Sequence, residues 1–265
     1  MENSDRLKLG VALSGGGARG IIHIGVLKAL DDARIKPSCI SGTSIGAIVG
    51  GLYAGGVSPG EMLKLISGKS FLRMFSIKPS FSGLLEMKYL KKVLRDHLPE
   101  RFDQLDIPFH ACATNLNKHK RVLFSEGTLY RAIVASASIP LLFEPVIIDG
   151  DAHVDGGVID NLPTDICRNS CDKILGVEVN AGMFHQDLKN IKNIAIEVFQ
   201  LTVSNNTKEG LAHCDWIIQP QLEAEYQILD FTKANELYEI GLEEGRKFVK
   251  KLVSSQKEKS SEFRL

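Results

Sequence analysis

Apolar residues run almost unbroken from Leu7 to Leu13, a density suited to a strand covered on both faces. A glycine-rich turn follows, then an apolar run at helical spacing from Gly20 to about Arg34, ended by Pro37. Cys39-Ile40 supplies a second short strand, and a second helix runs from Ser44 to about Tyr53. Strand, turn and helix in repeated alternation predict an α/β fold, a parallel sheet with helices on its faces. Further strands are expected at 109–114, 122–124, 146–148, 173–179 and 216–218. Further helices are expected at 86–97, 127–135, 163–169, 188–204 and 232–252. Neither an internal repeat nor a Pro/Gly/Ser linker divides the chain. The pattern therefore predicts one domain over 1–253, with 254–265 a polar, disordered tail.

Charge changes this picture little. Lys and Arg together number 32, as do Asp and Glu, so no global field draws the protein to nucleic acid, and none is expected as a partner. No stretch approaches the roughly 18 apolar residues of a membrane-spanning helix, and the polar start of the chain does not resemble a signal peptide. The five cysteines (Cys39, Cys112, Cys167, Cys171, Cys214) are scattered, and the four-residue step from Cys167 to Cys171 suits a helix face better than a metal knuckle. They read as reduced, mostly buried thiols of a cytoplasmic protein.

Three turns carry the candidate chemistry. In Ser14-Gly15-Gly16-Gly17-Ala18-Arg19-Gly20, between a strand and a helix, Gly15, Gly17 and Gly20 satisfy GxGxxG. A dinucleotide site would need an acid at the end of the second strand, and Ser38-Cys39-Ile40-Ser41-Gly42 has none. The turn remains a place where successive amides and a helix dipole converge on a negative oxygen, a phosphate or the oxyanion of an acyl-transfer intermediate. Gly42-Thr43-Ser44-Ile45-Gly46 matches the G-x-S-x-G elbow that projects a nucleophilic serine, again between strand and helix. Both turns open at the same edge of a parallel sheet, where such folds bind ligands.

A serine needs a proton acceptor. Of the seven histidines (His23, His97, His110, His119, His153, His185, His213), none lies in a late turn of the kind that presents a catalytic imidazole. The better candidate is Asp155 in Val154-Asp155-Gly156-Gly157, at the end of a hairpin turned by Asp149-Gly150. The cluster Asp149, Asp151, His153 and Asp155 invites a calcium-loop reading, but Val154 and Asp160 stand where Gly and Glu are required, so no metal is expected.

These turns, in this order, resemble the three motifs of the patatin-like phospholipase family. A fourth stretch, Ala135-Ser136-Ala137-Ser138-Ile139-Pro140, is similar to that family's Ala-Ser-x-x-Ile-Pro segment. The resemblance spans about residues 7–165 and points to the bacterial type. It implies a three-layer α/β/α fold with a mostly parallel central sheet and hydrolysis of lipid acyl esters, phospholipase A or lysophospholipase in type. It implies Ser44 as nucleophile and Asp155 as base, a dyad without histidine, cofactor or calcium. The turn Gly15, Gly16, Gly17, Ala18, Arg19 and Gly20 becomes the oxyanion hole. Gly42 and Gly46 shape the elbow, and Gly156 and Gly157 free the Asp loop. The alternative is a non-lipid carboxylesterase or thioesterase using the same dyad. Residues 69–85 mix aromatics with Lys and Arg, and two readings stay open: a lid or bilayer-docking segment giving peripheral membrane contact, or a loop folded into the core. Head group, acyl length and oligomeric state have no signature.

Overall fold

The computed structural model describes residues 7–67, 87–181, 188–189, 191–223, 226, 228 and 230–262. The segment expected as lid or core loop, 69–85, lies outside the described residues. In β1 (Leu9–Leu13), Leu9, Val11 and Leu13 enter the larger of two hydrophobic clusters. Ala12 and Gly10 face the smaller one, built around Cys39, Cys167, Cys171 and Ile174. This alternation, with every position buried, is what a parallel strand sandwiched between helices requires.

A single 3₁₀ turn (Gly17–Gly20) joins β1 to α1 (Ile21–Asp32); β2 (Cys39–Thr43) and α2 (Ile45–Ala54) follow. Helices α3 (Pro59–Ile66) and α4 (Lys88–His97) precede β3 (Phe109–Asn115) and β4 (Lys120–Phe124). Next come α5 (Leu129–Ser136), the hairpin β5 (Val146–Ile148) and β6 (Asp151–Asp155), and the short α6 (Asp165–Arg168). The chain continues through β7 (Lys173–Val177), α7 (Ile191–Ala212), β8 (Trp216–Ile218) and α8 (Ala234–Glu262). The sheet order is β5-β6-β3-β2-β1-β7-β8, with β4 also paired to β3. Neighbours from β3 across to β8 are parallel, and β4, β5 and β6 add antiparallel pairs. Helices α1–α5 and α8 fill the larger core on one face, and α6 with Leu211 of α7 covers the other, so the layers are α/β/α.

The expected strands recur with small shifts; β7 stops at Val177, two residues early. Helix α3, which the pattern did not suggest, starts on Pro59 behind Ser58, whose hydroxyl accepts the Glu61 amide at 3.3 Å. Helix α7 passes its expected end at residue 204 by eight residues, because Thr207 and Gly210 turn inward and are buried although their stretch is polar. Helix α8 runs on to Glu262, through most of the stretch expected to be a disordered tail; Gln, Lys and Glu there are good helix formers. No described helix is long and apolar enough to cross a membrane.

Helices α1 and α8 touch backbone to backbone. A Cβ at Gly25 would overlap the Tyr238 carbonyl oxygen, and one at Gly241 the Ile22 carbonyl oxygen. Gly245, four residues on and on the same face, would meet the Ala29 Cβ at 2.7 Å. Helix propensity favours Ala over Gly by about 1 kcal/mol, but overpacking a rigid backbone contact costs about 1–3 kcal/mol. Gly241→Ala is therefore expected to lower the melting temperature. Gly60→Ala in α3, with nothing within 4 Å of the added methyl, should leave it unchanged or raise it; thermal unfolding of both reads the difference.

Candidate active site

Strand β3 brings the candidate serine and aspartate together. Ala111 pairs with Gly42 of β2 and with Phe124 of β4, so β2 and β4 lie on opposite flanks of β3. Ala113 pairs with Val122 of β4 and with Asp155 of β6, so β6 shares the flank of β2. Strand β2 runs parallel to β3 and ends at Thr43 opposite Cys112; β6 runs antiparallel and ends at Asp155 opposite Ala113. The two strands thus meet head-on, their carboxyl ends at consecutive positions of one ruler. Ser44 is the residue after Thr43.

Ser44 sits at φ 56°, ψ −121°, a conformation that costs a non-glycine residue of order 1–3 kcal/mol and persists only where its surroundings enforce it. Its amide donates to the Ser136 hydroxyl at 2.9 Å, and that hydroxyl donates in turn to the Cys112 carbonyl of β3. Its carbonyl accepts the Ala47 and Ile48 amides, starting α2. The elbow glycines are there for close approach: a Cβ on Gly42 would overlap the backbone of Gly46, and one on Gly46 the backbone of Leu13 and Ser14.

Asp155 is wholly buried. Its amide donates to the Ser138 carbonyl at 2.8 Å, so the end of α5 grips the backbone of both candidate residues. Its Oδ1 accepts the Gly157 amide at 2.8 Å, while Oδ2 has no hydrogen-bond partner among the described residues. Burial pushes its pKa up to about 7; the neighbouring Ser44 hydroxyl and the Gly157 amide oppose the rise. A cramped loop explains Gly156, whose Cβ would overlap the Cys112 carbonyl.

The glycine turn is pinned from two sides. The Gly15 amide donates to the Asn161 carbonyl (3.3 Å) and side-chain Oδ1 (3.1 Å), and the Gly15 carbonyl accepts from Asn180 Nδ2 at 2.7 Å. The Ala18 amide donates to the Ile228 carbonyl at 2.8 Å. Of the six residues expected to form an oxyanion hole, Gly15 and Ala18 therefore have their amides engaged. Gly16 and Gly17 open the 3₁₀ turn, where amides have no acceptor within the helix; Gly17 adopts φ 58°, and any Cβ there would strike Ile228. Arg19 points away from the turn and is buried: Nε donates to the Tyr226 carbonyl (2.8 Å), Nη1 to Asn180 Oδ1 (3.4 Å) and Nη2 to Gln200 Oε1 (3.3 Å). Burial lowers its pKa to about 10, with Glu178 and Glu197 opposing, so it stays cationic at neutral pH behind the turn. Gly20 packs against Ile45 at the start of α2, tying the turn to the elbow.

Asn161 was missed in the sequence. It is fully buried, Nδ2 donating to Thr207 Oγ1 of α7 at 3.0 Å, and a Cβ built on Gly15 or Gly157 would meet its Oδ1. One carboxamide therefore touches the glycine turn, the Asp loop and α7. Only its place before Leu162-Pro163 hinted at a turn, and nothing local told of partners so far along the chain. Of the described histidines, His23 and His153 are hydrogen-bonded to other groups. His23 Nε2 donates to the Ser14 carbonyl at 2.8 Å, its burial lowering the pKa to about 4. His153 faces Asn115 and the Asp151 carbonyl, and His213 follows α7 at the edge where strands begin. Among the described residues no group of three His, Cys, Asp or Glu side chains is arranged to hold a metal ion.

Comparison with known proteins follows the same lines. A model described as patatin-like phospholipase matches residues 11–168. Lysophospholipase NTE1 of Saccharomyces cerevisiae is 29% identical over 284 residues, covering 94% of this chain but 17% of that protein. An uncharacterized NTE family protein of Mycobacterium tuberculosis is 35% identical over 184 residues, 68% of this chain and 51% of its own length. This chain thus spans about half or less of these relatives. Among solved structures, VipD from Legionella pneumophila superposes with a TM-score of 0.60 at 17% identity, over 94% of this chain and 67% of its own, a likeness of fold.

The Asp155 pKa has a consequence for stability. An unfolded aspartate titrates near 3.9, so the fold favours the neutral acid; this contribution is complete below about pH 4 and is lost as pH rises through 7. Asp155→Asn, which cannot ionise, should lose less stability than the wild type between pH 5 and pH 8. In a chain this long each kcal/mol retained appears as roughly 2–4 °C in melting temperature. Parallel melting curves with equal pH dependence would refute the assignment.

Proposed function

The chain belongs to the patatin-like phospholipase family, and from that premise we propose that it hydrolyses lipid acyl esters through Ser44 and Asp155. The observation that carries this reading is the head-on meeting of β2 and β6 on one flank of β3, which sets a strained serine beside a buried carboxylate. In the proposed mechanism Asp155, ionised, accepts the Ser44 proton as Oγ attacks the ester carbonyl carbon. The Gly16 and Gly17 amides hold the tetrahedral oxyanion, with the Arg19 charge behind them. Collapse expels the alcohol, which takes the proton from Asp155, and leaves an acyl-Ser44 ester. Water, deprotonated by the same aspartate, then releases the fatty acid and restores the serine. A carboxylate base suits this scheme because burial raises its pKa to the working pH. The names of the fungal relatives favour lysophospholipids as substrates. We further propose one acyl-hydrolase domain over 1–253, a cytoplasmic location in keeping with five free cysteines, and peripheral contact with lipid.

Two experiments test the proposal. Ser44→Ala should remain folded yet lose at least about 10³-fold in ester hydrolysis, and a fluorophosphonate should label the wild type at Ser44 alone. Retained turnover in the variant would overturn the scheme. Because the base acts only when ionised, kcat should climb with pH and level off above an inflection near 7. A rate flat from pH 5 to 9 would remove Asp155 from that role.

A further inference from the structure

Helix α7 carries two apolar stripes, and only one has a partner in the described fold. Ile196, Phe199 and Val203 turn inward, and Gln200 and Asn206 join them there, Gln200 accepting from Arg19 and Asn206 donating to the Gly157 and Val158 carbonyls. The other stripe, Ile191, Ile194, Val198 and Leu201, with Leu188 in the lead-in, is between 46% and 86% exposed. Eleven large aliphatic side chains are at least 37% exposed among the described residues, and these five fall within residues 188–201. The other six are spread over the rest of the chain, so the stripe is a concentrated patch of a kind soluble surfaces rarely carry without purpose.

Its position is fixed by topology. β7 and β8 are parallel neighbours, so the crossover helix α7 begins at the edge where strands end, the edge of Ser44, and runs back to where they begin. Gln200 and Asn206 mark the level of the glycine turn and the Asp loop. The nine steps from Gln200 back to Ile191 therefore lead about 13 Å outward from the site at about 1.5 Å per step. Over the whole stripe, Leu188 to Leu201, the sequence carries Lys189 and Lys192 against one acid, Glu197, a net positive balance that suits phosphate head groups. A second copy of this chain fits less well. A stable protein interface takes roughly 20–30 residues a side, and this stripe supplies five.

We propose that Leu188, Ile191, Ile194, Val198 and Leu201 dock on a lipid surface and hold the crevice of Ser44 against the bilayer. The inference rests on the lipid-hydrolase reading and names the surface through which that site meets its substrate. The helix lies along the interface by its apolar stripe while its inner face walls the site. A lipid leaving the bilayer then reaches the serine without crossing water.

The test uses Ile191→Glu/Val198→Glu, two exposed positions outside the proposed catalytic machinery, with Ile191→Ser as a milder partner should the double variant melt early. Co-sedimentation with phosphatidylcholine vesicles containing phosphatidylglycerol is measured for the wild type, for Ser44→Ala and for these variants. The wild type and Ser44→Ala should bind alike. The double variant should bind at least about tenfold more weakly, and hydrolysis of vesicle lysophospholipid should fall in step. Hydrolysis of a short-chain ester below its solubility limit should be unchanged. Unaltered vesicle binding by a folded variant would overturn the proposal, and so would a wild-type dimer, seen by light scattering, that the variant splits into monomers. Loss of vesicle binding in a chain whose wild type cleaves no ester would leave the docking surface standing and sink the hydrolase reading, so the two fail separately.

Discussion

Consecutive residues of β3, Cys112 and Ala113, are claimed on one flank by two strands arriving from opposite directions. Everything at the candidate site depends on that arrangement. A sheet fixes pairing in steps of one residue, and a slip of one would turn the Asp155 side chain to the other face. The antiparallel β6 is therefore more than an ornament on a parallel sheet. It delivers a carboxylate to the tip of β2, a place where a further parallel strand would put its amino end.

Such a meeting is strained and dry, and the surrounding structure is arranged to hold it. Ser44 keeps a positive φ because Ser136 takes its amide and α2 takes its carbonyl. Asp155 is held as a buried acid: the Gly157 amide satisfies one oxygen, and that bond and the neighbouring Ser44 hydroxyl oppose the upward pull of burial on its pKa. The helix end carrying Ser136 and Ser138 grips both residues at once, which gives a physical reason for the Ala-Ser segment that precedes the aspartate. Opposed costs of this kind concentrate where chemistry is done.

Helix α7 couples this interior to the outside. Thr207 holds Asn161, Asn161 holds the Gly15 amide, and Asn206 holds the Asp loop, all from the helix face opposite the free apolar stripe. Whatever seats that stripe also seats the wall of the site.

The chain's own pattern was enough for the three turns and the order of most strands and helices, because glycine requirements and hydrophobic periods are local. The pattern marks Gly42 and Gly46 as elbow glycines and Gly156 as part of the Asp loop, and only the fold supplies the backbone each one meets: Gly46, Leu13 with Ser14, and Cys112. Polar capacity was harder: Ser136 and Asn161 act on residues 92 and 146 positions away, and no spacing rule announces such partners. The polar end of α7 lies beyond the expected helix because Thr207 and Gly210 are buried by tertiary neighbours and not by any period of their own.

The sequence by itself determined which residues could form the elements and which turns could carry a nucleophile, an acid and converging amides. The tertiary structure alone decided that Ser44 and Asp155 are neighbours, which glycine amides are engaged, and which of two apolar stripes on α7 is left uncovered. The reason is that period and turn chemistry are properties of adjacent residues, whereas burial and hydrogen-bond satisfaction are settled only when distant segments compete for the same space.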